Sequence, residues 1–251
     1  MTPLPDQHYH MAIDLSRTIA AEVGTPRFYL EKAREVTLSR ELFAGEPLIA
    51  GGLRIVAERD ACLGHGIAHV EKVAVDSGAL ILIEEGGTAP DARIRRLVLL
   101  AQLAGILHDI RRSETDHAER GAEEAQALLA GFSIGDDERA GIVNAIRNHE
   151  AFRPCRALAD RGAQLLSDAL YDADKFRWGP DNFTETLWAM IADRGIPLQA
   201  LLPRLLPGIE GIGQIRDSFR TPTGKEYGPD VIDRGLTIGR RLYAALTEGT
   251  A

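Results

Sequence analysis

An imidazole and a carboxylate stand side by side, His108-Asp109, at the end of the apolar run 97–107. Neither side chain belongs beside a core unless it is paired or bound to a metal. Further donors lie at intervals along the chain: His69 upstream, then His117, His149 and Asp174 downstream. This mixture of N and O donors suits Zn, Mn, Fe, Ni or Co and, with more carboxylate and water, Mg. Each residue alone has a plainer explanation. His69 reads as a surface or hydrogen-bonded histidine, His117 as a helix-start residue, Asp174 as an acid in a last helical turn. The combination is what counts: five of the seven histidines fall between residues 61 and 195, and several end apolar stretches.

The elements that must position these groups are helices, because the apolar residues recur with helical period almost throughout. Ile67, Val70, Val73, Ala74 and Ile81 form one stripe. The stretch Ala92 to Leu107 is apolar nearly all round after its first turn and reads as the central helix. Asp91 can cap it. Arg93, Arg95 and Arg96 keep its start solvated, at a small cost against the helix dipole. A helix over 116–130 turns Ala118, Gly121, Ala122, Ala125, Leu128 and Leu129 inward, with Gly131 as its stop. Asp136-Asp137-Glu138 open another, which carries Ile142, Val143 and Ile146 to His149. Helix fits Arg161 to Phe176; Gly179-Pro180 breaks it, and Asp181 or Thr184 starts the next. The tail shows helical segments over 198–206 and 231–246, and the stretch from Thr221 to Pro229 reads as a loop. Leu80 to Ile83 is the one strand-like run, and it continues the helical pattern before it. The expected fold is all-α: a core over 61–195, an N-terminal helical extension over 1–60, and a C-terminal extension over 196–251 packed on the core.

Bulk properties exclude several functions. The chain has 251 residues, is 45% hydrophobic and carries a net charge of −8. No long basic block is present, so dedicated DNA binding is not expected, although a local cationic pocket for phosphate stays open. The first six residues lack the pattern of a signal peptide, and no apolar run suits a membrane span. Cys62 and Cys155 have neither metal-type spacing nor a disulfide framework, which points to free thiols and a cytoplasmic location. A homo-oligomer is compatible with the sequence. There is no Walker A loop and no Gly-x-Ser-x-Gly, so neither ATP-driven work nor a serine nucleophile is indicated.

The ordered set resembles the HD-domain superfamily of metal-dependent phosphohydrolases, whose pattern is H…HD…D. Here it falls on His69, His108-Asp109 and Asp174. The words Leu103-Ala104-Gly105-Ile106-Leu107-His108-Asp109-Ile110 and Ala173-Asp174-Lys175-Phe176 are similar to the family's central and closing motifs. Asp172 and His65 compete with Asp174 and His69 and rank second. The resemblance covers about residues 60 to 180. It implies a helical bundle that binds divalent metal ions.

His117 and His149 match two further positions of subfamilies that hold two metals. In that case one ion would take His69, His108, Asp109 and Asp174. The other would take Asp109, His117 and His149, with Asp109 as the bridge. The segment Ala145 to Glu150 is similar to a fourth motif. It departs from the cyclic-di-nucleotide branch, because Asn148 replaces a histidine and Phe152-Arg153-Pro154 replaces Gly-Tyr-Pro. The activity the resemblance implies is hydrolysis of a phosphate ester or anhydride, with a small phosphorylated substrate such as a nucleotide and a metal-activated water. Asp109 would then be catalytic, and Lys175, Arg112 and Arg147 would steer phosphate; a solvated face is the alternative for the two arginines. Two other functions share the donor set: a di-iron oxygenase acting on a small molecule, and a non-catalytic, metal-stabilised signalling module.

Overall fold

Helical periodicity does translate into helices. The computed structural model describes residues 7–59 and 66–248 and has no strand among them. The N-terminal part forms α1 (Gln7–Val23), the short α2 (Arg27–Glu31), α3 (Ala33–Gly45) and α4 (Pro47–Arg59). Then come α5 (Ile67–Glu84), α6 (Ala92–Leu107), α7 (His117–Leu129), α8 (Asp136–Asn148) and α9 (Arg161–Phe176). A π-helical turn, Asn182–Thr186, leads into α10 (Leu187–Arg194) and α11 (Leu198–Ile212). After a short 3-10 turn the chain ends in α12 (Pro222–Glu248). His65 and Cys62 lie outside the described residues, and Cys155 is an exposed free thiol.

α6 is the axis of the assembly. The Asp91 carboxylate accepts the Ile94 N–H at 2.8 Å and starts it. From Leu97 to Leu107 every residue is buried, because α3, α4, α5, α8 and α9 all pack on it. The strand-like run Leu80 to Ile83 is helical and lies in α5, three of its four residues fully buried. One polar residue inside this apolar layer is satisfied rather than stranded: Gln102 donates to the Ser39 carbonyl at 2.8 Å, and Ser39 Oγ donates to Val75 O at 2.7 Å.

The closest approach of α5 and α6 is at Gly105. A Cβ there would sit 2.6 Å from Ala74 Cα and 2.8 Å from Ala74 N. The two helices therefore meet backbone to backbone. Gly105 lies one turn before His108, and Ala74 just over one turn after His69, so this contact brings the two imidazoles together.

The expected loop from Thr221 to Pro229 is instead the beginning of α12. Its Pro and Gly residues were misleading, and the reason is local. Thr221 Oγ1 accepts the Gly224 N–H at 2.8 Å, so Thr221 is an N-cap and Pro222 takes the first helical position. A proline is welcome there, because that N–H has no intrahelical partner anyway. The helix then passes Gly179 at van der Waals limits: a Cβ on Gly235 would lie 2.8 Å from Gly179 Cα. The helix expected from Asp181 or Thr184 begins at Pro180 and Asp181 and passes through the π-helical turn into α10.

All parts of the chain share one apolar core, to which Tyr9, Phe28 and Ile49 contribute from the N-terminal part and Ile232 and Leu242 from α12. A buried polar network adds to it. Tyr29 donates to Asp76 Oδ2 at 2.6 Å, and the buried Arg177 guanidinium contacts Tyr29, Asp76 and Asp181. Among the described residues no helix is long and apolar enough to cross a membrane.

A test of the α5–α6 contact is Gly105→Val. The added side chain has only backbone to displace. The expected loss is about 1–3 kcal/mol, read as a thermal midpoint lower by roughly 2–12 °C. An unchanged midpoint by circular dichroism would place the two helices further apart than described.

Candidate metal centre

Five helix termini converge on one point. His69 sits in the first turn of α5, His108 just after α6, and His117 opens α7. His149 follows α8, and Asp174 lies in the last turn of α9. Two of the histidines are held the same way. His108 Nδ1 donates to Gly105 O at 2.8 Å, and His149 Nδ1 donates to Ile146 O at 2.6 Å. Each bonds to a carbonyl in the last turn of its own helix. With Nδ1 so engaged, each ring turns its Nε2 toward the centre, the orientation a metal ligand needs.

Asp109 lies between two sets of imidazoles. Its Oδ2 is 3.4 Å from His108 Nε2 and 4.0 Å from His69 Nε2. Its Oδ1 is 3.4 Å from His149 Nε2 and 3.8 Å from His117 Nε2. Asp174 Oδ1 is 3.7 Å from both His69 and His108, whose Nε2 atoms are 3.4 Å apart. Two compact donor groups result, His69–His108–Asp174 and His108–Asp109–His149, with ligand atoms within 4.8 Å of one another. A metal with bonds near 2.0–2.2 Å needs its ligand atoms about 3.0–3.6 Å apart. The residues present fit a divalent ion in type and number, with spacings from 3.4 Å to slightly above that range. His108 belongs to both groups. His117 lies outside them, because its Nε2 accepts from Arg112 Nη1 at 2.8 Å.

The charges answer one another. Burial pushes the His108 imidazolium down, but Asp109 and Asp174 outweigh it and raise it to about 10. Burial pushes the Asp174 carboxyl up, yet Lys175 and His108 hold it well below the usual range. Burial dominates at His117 and lowers it to about 4.

The other anticipated residues fall in different places. Lys175 is buried, and its Nζ is 2.6 Å from Asp174 Oδ2, so it already neutralises the candidate ligand. Arg112 reaches the cavity beside the cluster. Arg147 does not: it pairs with Glu119 at 2.7 Å and lies outside the cavity wall. Asp172 points away from the cluster. It accepts the N–H groups of Arg220 and Thr221, each at 2.8 Å, and the Thr221 hydroxyl at 2.7 Å. It therefore anchors the start of α12.

The cluster forms one end of a cavity of about 470 Å³. The rest of the lining, notably Arg204 and the apolar side chains of α10 and α11, carries no sequence signal of its role. The regular apolar spacing of 198–212 marks a helix, but no local signal says what that helix covers. Comparison with family models, with curated proteins and with solved structures finds no match for this chain.

Two aspartates separated by one residue thus make opposite predictions. Asp174→Asn should lower metal content, measured by elemental analysis of the purified protein. Asp172→Asn should leave metal content unchanged and cost about 1–3 kcal/mol of stability, since a buried donor loses its acceptor. The reverse pattern of metal loss would move the ligand two residues upstream.

Proposed function

We propose that this chain is a metal-dependent phosphohydrolase of the HD-domain type, acting on a phosphate ester or anhydride. The observation that supports it most is the Asp109 carboxylate, with one oxygen toward His69 and His108 and the other toward His117 and His149. Divalent ions held by such a set supply Lewis-acid charge and an activated water, so hydrolysis needs no protein nucleophile. The carbonyls of Gly105 and Ile146 fix the rings of His108 and His149. Lys175 balances the charge of Asp174. Arg112 presents a guanidinium beside the cluster, suited to a phosphoryl oxygen. It can turn to substrate once it releases His117.

The deciding experiment is metal analysis of protein purified without added metal, followed by a panel of phosphate esters and anhydrides assayed with and without dioxygen. Asp109→Ala should abolish turnover and lower metal content while the helical circular dichroism spectrum persists. Turnover that requires both iron and dioxygen would assign an oxygenase instead.

Metal uptake should also depend on pH. Asp109 and Asp174 raise the His108 imidazolium to about 10, and a ligand histidine must give that proton up. Raising the pH from 7 to 8 makes the release easier, so affinity should increase about tenfold for one proton displaced. His117, already neutral at these pH values, adds nothing to the slope. A chelator-competition titration checks this; an affinity independent of pH would show that no proton leaves His108 when the metal binds.

A further inference from the structure

The cavity has two unlike halves. One holds the metal-ligand cluster with Arg112 and Lys175. The other is walled by Phe183 on the π-helical turn, Leu187 and Met190 on α10, and Leu205, Ile209 and Ile212 on α11. The other polar residues of the lining are Glu150, Arg177, Asn182 and Thr186, with Arg204 at the exposed face of α11. Phe152 also lines the cavity. It is 67% exposed and held at φ 62°, a left-handed conformation uncommon outside glycine. An exposed aromatic ring kept in a strained backbone at the edge of an apolar cavity is a second sign that something apolar belongs there.

Resting on the phosphohydrolase reading of the cluster, we infer that the substrate is an anionic phosphate ester with an apolar alkyl or aryl body, not a nucleoside. The phosphate meets the cluster and Arg112; the apolar body lies along α10 and α11. A volume of about 470 Å³ is within the range of small-ligand sites. A nucleoside would press its ribose hydroxyls and base edges against Leu187, Met190, Leu205 and Ile209, and each polar group so buried loses its hydrogen bonds to water without replacement. An alkyl or aryl group loses nothing there and removes more apolar surface from water with each carbon.

The test is a binding series on the metal-loaded protein, read by calorimetry: ethyl-, butyl-, hexyl- and octylphosphonate, which cannot be hydrolysed as esters, against adenosine monophosphate. Affinity should rise about fourfold for each methylene until the cavity is filled, and the longer phosphonates should bind more tightly than the nucleotide. Met190→Asn and Leu187→Gln, both at half-buried positions, should flatten the series while leaving ethylphosphonate affinity unchanged. An affinity that ignores chain length in the wild-type protein, or tighter binding of the nucleotide, overturns the inference whether or not the variants fold. The readout separates this inference from the activity. Chain-length-dependent binding with no hydrolysis of the matching alkyl phosphates would sink the phosphohydrolase and keep the apolar ligand. Hydrolysis of nucleotides with a flat phosphonate series would do the opposite.

Discussion

The centre of this molecule depends on a place where no side chain fits. At Gly105 the backbones of α5 and α6 touch through Ala74, and a single methyl group would overlap main-chain atoms. Backbone cannot move aside as a flexible side chain does, so the distance between the helices is set by the absence of a Cβ. Everything at the candidate metal centre follows from that spacing. His69 and His108 come within 3.4 Å because their helices do. The same glycine supplies the carbonyl that orients the His108 ring. Packing and ligand orientation thus come from one residue, on two sides of its peptide unit.

The cluster is a concentration of charge inside an apolar bundle, and it is tolerable because the charges are balanced. Asp109 and Asp174 are two carboxylates among buried rings, and Lys175 is a buried cation that contacts one of them. A buried charge without a partner is strongly destabilising. Here the acids raise His108, and Lys175 and His108 in turn lower Asp174. The cluster is thus arranged so that its acids favour positive charge at His108.

Much of this was legible in the sequence because the signals are local. The apolar run before His108, the acid at Asp91 and the acids at Asp136 to Glu138 each mark a helix by chemistry within a few residues. The order of His69, His108-Asp109, His149 and Asp174 named the donors that meet. Other features were not legible, for two physical reasons. At Thr221-Pro222 the cap and the first-turn proline were present, but the following glycines suggested a loop; they serve instead to let α12 approach Asp172, Phe219 and Gly179. Arg147 looked like a candidate for phosphate because it precedes His149 by two residues. Two residues along a helix is about 200° around it, so Arg147 faces Glu119 and not the cavity. The apolar wall from α10 and α11 is distant in sequence from every donor, and no pattern within those helices states what they face.

The arginine that follows Lys175 by two positions has a consequence for how the protein can be dissected. Arg177 is buried, and its ion pair with Asp76 and contact with Tyr29 join the end of the ligand-bearing helix α9 to α5 and α2. The span with the family-like motifs therefore does not make a self-sufficient fragment. Trimming the chain to that span would remove Tyr29 and open the cover over a guanidinium that cannot lose its charge. Water would reach the foot of α9 a single turn from Asp174, next to the candidate centre. Tyr29 on α2 thus covers a charged group at the foot of α9.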